Sequence, residues 1–149
     1  MTDTHMQKAV KRINEARERG EIGVDMLGLE IQEIPRELLE LADTLKWLEL
    51  SNTKVTDISP LANLTNLKLL ILRETNVSDI SPLADLTKLI ALYLWETGVS
   101  DISPLRNLTK IETLDLSRSA LVKSPANTEA LEKLRENGCE IFGAEEFMK

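Results

Sequence analysis

"LKLLILRETNVSDISPLADLTK", residues 67–88, occurs in three versions in a row. "LKWLELSNTKVTDISPLANLTN" precedes it at residues 45–66, and "LIALYLWETGVSDISPLRNLTK" follows at 89–110, without a gap. A fourth version, "IETLDLSRSALVKSP", begins in the same register at Ile111. The starts lie 22 residues apart, and the unit reads L-x-x-L-x-L-x-x-T-x-V-x-D-I-S-P-L-x-x-L-T-x. A fixed period of this length marks a stacked repeat architecture.

The physics of one unit is legible. The L-x-L pairs (Leu48 and Leu50, Leu70 and Leu72, Leu92 and Leu94, Leu114 and Leu116) have period 2, so each is a short strand with both leucines on one face. A polar turn follows and ends in Thr53, Thr75, Thr97 or Ser119. Val55 and Ile58, with their equivalents Val77, Ile80, Val99 and Ile102, point back inward. Ser-Pro, with Asp two residues before the serine, starts a tight helical turn, because proline suits a first helical position. Leu61 and Leu64 bury its inner side, as do Leu83, Leu86, Leu105 and Leu108 in the next units. One such unit cannot bury its leucines alone. Stacked on its neighbours, it shares a continuous core and contributes one strand to a parallel sheet.

This pattern resembles the leucine-rich repeat family, in its 22-residue internalin-like class with the D-I-S-P-L signature, over about residues 22 to 125. The resemblance implies an α/β repeat solenoid. It would be right-handed, with a parallel sheet on the concave face, short helical turns on the convex face and helical caps at both ends. One departure is notable. The family often has asparagine where this chain has Thr53, Thr75, Thr97 and Ser119, so an asparagine ladder is not expected, although a hydroxyl can still bond nearby backbone.

Solenoid ends must differ from the middle, because an uncapped end exposes core. In "THMQKAVKRINEARERG", Met6, Val10, Ile13 and Ala16 fall at helical spacing, and Gly20 is a stop signal. Val24, Met26, Leu29, Ile31 and Ile34 then match Leu48, Leu50, Thr53, Val55 and Ile58 at an offset of 24, which makes an atypical first repeat. This opening resembles the N-termini of some bacterial leucine-rich repeat proteins, including ones fused to GTPase domains. "SPANTEALEKLRENGCEIF" reads as a helix from Pro125 or Thr128 to Asn137, stopped by Gly138, with "CEIF" as a last strand and Cys139 in the cap core. The expected organisation is a single domain over 1–149. Its parts are an N-terminal cap (1–21), the atypical repeat (22–44), regular repeats (45–66, 67–88, 89–110), a last repeat (111–124) and a C-terminal cap (125–149).

The formal charge of −7 argues against nucleic acid and anionic membrane as partners. A single cysteine allows no internal disulfide, and neither a membrane-spanning run nor a signal-peptide h-region is present, so a cytoplasmic setting is expected. The one histidine, His5, stands near the N-terminus. No phosphate-binding, dinucleotide or nucleophile-elbow motif occurs, and no metal-ligand spacing. Asp57, Asp79 and Asp101 recur once per unit beside Ser-Pro, where turn capping explains them better than calcium. No enzyme activity, cofactor, catalytic residue or metal is expected.

Binding information sits where the fold leaves residues free. The third, fifth and seventh positions of L-x-x-L-x-L-x face away from the core. The third positions are Trp47, Leu69, Ala91 and Thr113; the fifth are Glu49, Ile71, Tyr93 and Asp115, with Asp25 before them. The seventh are Ser51, Arg73, Trp95 and Ser117, with Leu27 before them. These positions change from unit to unit while the framework barely does. Both tryptophans and the one tyrosine fall among them, whereas Phe142 and Phe147 fall in the C-terminal cap. Strands stack about 4.8 Å apart, so Trp47, Leu69, Ile71, Tyr93 and Trp95 should form one apolar patch. Burying one aromatic side chain of roughly 150–250 Å2 at about 25 cal/mol/Å2 gains about 4–6 kcal/mol before association costs.

Flanking charges are mixed, Asp25, Glu49, Glu74, Glu96, Glu112 and Asp115 against Lys46, Lys68, Arg73 and Arg118, which suits a partner with apolar anchors and a somewhat basic rim. The sequence therefore points to a non-catalytic module that binds a protein or peptide through Trp47, Glu49, Leu69, Ile71, Arg73, Tyr93, Trp95 and Asp115. Three alternatives stand beside it. The patch joins two copies into a homodimer; the chain is the sensor segment of a larger signalling protein; or it is an engineered repeat binder. A structural reading is also open, in which the aromatics merely cover the sheet and pack on each other.

Overall fold

The computed structural model describes residues 4–147; the outermost residues of the two expected caps, 1–3 and 148–149, lie outside the described residues. The described residues begin with helix α1 (Thr4–Arg19) and close with helix α2 (Pro125–Glu136), a last strand and a 3-10 turn at Glu145–Phe147. Between them runs a parallel sheet of β1 (Gly23–Asp25), β2 (Trp47–Glu49), β3 (Leu69–Ile71), β4 (Ala91–Tyr93) and β5 (Thr113–Asp115), which β6 (Glu140–Phe142) extends. The six strands lie in sequence order, each parallel to the next. The register is the repeat itself: Val24 pairs with Leu48, then Leu70, Leu92 and Leu114, and Ile141 completes the row. The first step is the 24-residue offset expected for the atypical repeat.

Each strand has three residues and buries its middle one. The second leucine of each pair, Leu50, Leu72, Leu94 and Leu116, is fully buried with Met26 ahead of it. Across the core, 3-10 turns at Ser59–Asn63, Ser81–Leu83 and Ser103–Leu105 carry proline as their second residue and bury Leu61, Leu83 and Leu105. The aspartate of each unit holds its turn: Asp57, Asp79 and Asp101 each accept from the amide of the serine two residues on, at 2.9 Å. Those hydrogen bonds, backbone and side chain from the same serine, hold all three carboxyls below the usual aspartate range.

At the turn after each strand, the Thr53, Thr75 and Thr97 hydroxyls donate to the carbonyls of Leu50, Leu72 and Leu94 at 2.8–2.9 Å. Ser119 departs from this pattern: its hydroxyl is buried without a partner, and its backbone amide takes the Leu116 carbonyl instead. The caps close both ends. Helix α1 buries Ala9, Ile13 and Ala16, so the inner stripe is small, while Met6 and Val10 are only half-buried. Arg12 reaches the Asp25 carbonyl, Arg17 pairs with Glu40, and His5 Nδ1 accepts from the Glu30 amide. Helix α2 is capped by Ser124, and Gly138 takes the positive φ of 89° that ends it. Cys139 is buried in this cap, and its burial, with Glu140 beside it, pushes the thiol up to about 11.

Candidate binding face

The strand pleat sends the outer residues of each strand to the face opposite the leucines. One row on that face runs Trp47, Leu69, Ala91, Thr113 and Glu140; a second runs Asp25, Glu49, Ile71, Tyr93, Asp115 and Phe142. Trp47 lies across β1. A side chain on Gly23 would overlap its indole, so this glycine is what lets the tryptophan settle on the neighbouring strand. Leu69, Ile71 and Tyr93 occupy the two central strands. Arg73 stacks its guanidinium 4.6 Å from the centre of the Tyr93 ring. Arg118 does the same over Trp95 at 5.5 Å, held also by Glu96 at 3.9 Å. Such stacking places the charge over the electron-rich ring face and extends an apolar surface with a polar margin.

A family model of leucine-rich repeats, in two copies, matches residues 43–85. The chain has a leucine-rich repeat fold. Its fold is internalin-like. A structure of internalin C2 from Listeria monocytogenes aligns with a TM-score of 0.75 at 22% identity, over 94% of this chain and 63% of that one. A leucine-rich repeat protein of Leptospira interrogans aligns with a TM-score of 0.71 at 24% identity, over 87% of this chain and 33% of that one. An internalin (inlF) from Listeria monocytogenes gives 0.55 at 24%, over 94% and 55%. The repeat protein thus spans less than two thirds of the length of these neighbours. No curated protein matches it by sequence.

Within this leucine-rich repeat sheet, the expected face residues take three different roles. Trp47, Leu69, Ile71, Tyr93 and Trp95 are all half-buried rather than exposed. Glu49 and Asp115 are committed to backbone: they accept from the amides of Ser51 at 2.7 Å and Ser117 at 2.9 Å, and Asp25 treats Leu27 in the same way. Ser51 is not on the open surface. It is 5% exposed, because its hydroxyl accepts from the Arg73 amide on the next strand. A small hydroxyl fits between two strand ends where a larger seventh residue must turn outward. Conversely, Phe142 belongs to the face. It stands beside Asp115 in the fifth-position row and is 42% exposed. The signal was present in "CEIF", since a strand that buries Ile141 turns its neighbour Phe142 outward. Leu27, at 54% exposed, marks the opposite end of the same sheet.

Among the described residues, no group of acidic, cysteine or histidine side chains is arranged to hold a metal ion. No helix among them is long and apolar enough to cross a membrane.

Proposed function

We propose that this leucine-rich repeat protein is a non-catalytic binding module, operating in a reducing compartment such as the cytoplasm, that recognises a protein or peptide on its open sheet face. One observation carries the reading. Along the fifth-position row the residues change from Glu49 to Ile71 to Tyr93 to Asp115, while the buried row one residue later stays leucine in all four of these repeats. The fold requires only the second row. Trp47, Tyr93 and Trp95, with Arg73 and Arg118 against two of the rings, supply the residue types that dominate binding hot spots.

The test is a titration. A partner captured on the immobilised chain is purified and titrated against the wild type and against a variant combining Trp47→Ala, Tyr93→Ala and Trp95→Ala. The expected loss is about a hundredfold or more, with the thermal melt of the variant recorded beside it. Unchanged affinity would sink the reading. So would a stable homodimer in sedimentation velocity that Trp95→Ala dissolves, because the face would then be a contact between copies.

A further inference from the structure

Four lysines gather where the chain enters the sheet. Lys46 and Lys68 immediately precede β2 and β3, and the Lys68 amide donates to the Lys46 carbonyl at 2.7 Å, so the two stack directly. Lys88 and Lys110 end their repeats just ahead of β4 and β5. With Asn66 and Ile90 they line an open groove of about 380 Å3. All four lysines are exposed. Asn66 orients one of them: its Oδ1 accepts from Lys88 Nζ at 2.6 Å, while its Nδ2 donates to the Asp43 carbonyl at 2.9 Å. That acceptor is neutral, so it positions the ammonium without cancelling its charge.

Among the described residues, none of the four has a carboxylate at ion-pair distance, in a chain with 25 acidic residues. Other cations do pair, as Arg17 with Glu40 and Lys133 with Glu129. A concentration of like charge is a cost to the folded state unless something negative occupies it.

We propose that this groove docks an acidic stretch of a protein partner, an extended segment presenting three or four Asp or Glu side chains. The groove runs from the entry of β2 to the entry of β5, three strand spacings or about 15 Å, which about five extended residues cover. A nucleic acid fits less well. No aromatic side chain lines the groove to stack a base, and the net charge of −7 repels a phosphate backbone wherever it leaves the lysines. The lysines lie at the strand-entry edge rather than among the aromatic rows, so the proposal holds whether or not the open face binds.

The probe is a fluorescein-labelled peptide of alternating Glu and Gly, about eight residues long to overreach the groove, titrated with the full chain at low salt and followed by anisotropy. Saturable binding that weakens with added salt is expected. Combining Lys46→Ser, Lys68→Ser, Lys88→Ser and Lys110→Ser should lower affinity about tenfold or more, since exposed pairs are individually weak and four act together. A control combining Lys8→Ser, Lys11→Ser, Lys54→Ser and Lys123→Ser removes the same charge elsewhere and should stay within about twofold of wild type. All eight side chains are exposed, and a thermal melt of each variant confirms folding. Three results overturn the proposal: no saturable binding, an equal loss in the control, or tighter binding of a single-stranded oligothymidylate through the same four lysines.

Discussion

Glu74 and Glu96 hold a left-handed backbone, each with φ 54°, at the place where Gly28 and Asn52 stand in the earlier units. That conformation costs a glutamate roughly 1–2 kcal/mol, and asparagine less because its short side chain bonds locally. Glu74→Asn should therefore stabilise the chain by about 0.5 kcal/mol, raising Tm by roughly 1–2 °C; Asn52→Val should lower it by more. The turn hydroxyls next to these residues give a sharper contrast. Thr75→Val removes a bond to a buried carbonyl and should cost about 1 kcal/mol in chemical denaturation. Ser119→Ala removes a buried hydroxyl that has no partner, so it should cost much less. Both turns carry the same sequence signal, a hydroxyl at the same position, and only the coordinates separate them.

Helix α2 is held to the last regular repeat by Asn127, which is buried. Its Oδ1 accepts from the Ile102 amide at 2.9 Å, and its Nδ2 donates to the Ser100 and Val122 carbonyls at 2.8 Å. One side chain thus satisfies three backbone groups, two in the last regular repeat and one in the segment leading into α2. Asn127→Ala leaves them without that partner and should cost about 3 kcal/mol, a fall in Tm of roughly 6–12 °C. The 3-10 turns respond to pH instead. Asp57, Asp79 and Asp101 have carboxyls lowered by their serine hydrogen bonds, so the folded state binds fewer protons than the unfolded one. Their stabilisation is present above the unfolded value near pH 4 and is lost as pH falls through the lower folded values. Replacing all three by Asn keeps an acceptor but removes the titration. Tm measured between about pH 5 and pH 3 should then fall less steeply than in the wild type.

The stacked architecture was legible because its cause is periodic: every unit repeats the same inward leucines, so three copies state the fold three times. The caps were legible from helical spacing and stop glycines. What escaped the sequence depends on what stacking brings together. Ser51 is buried by a bond to the backbone of Arg73, one repeat away. Phe142 joins the sheet face because β6 pairs in register with β5, although it lies outside the repeat period. The lysines of the groove lie in different units and become neighbours only across strands. Glu49 and Asp115 looked like free charges, yet each turns back to its own strand end.

The sequence has only two tryptophans, Trp47 and Trp95, and both sit half-buried on the open sheet face, so the chain carries its own reporter of that surface. Tryptophan emission and acrylamide quenching, recorded while a purified partner lacking tryptophan is titrated to saturation, test the binding face directly. A blue shift with reduced quenching, following the same binding curve as an independent titration, is the predicted result. Saturation with both signals unchanged would place the partner elsewhere on the solenoid and contradict the account.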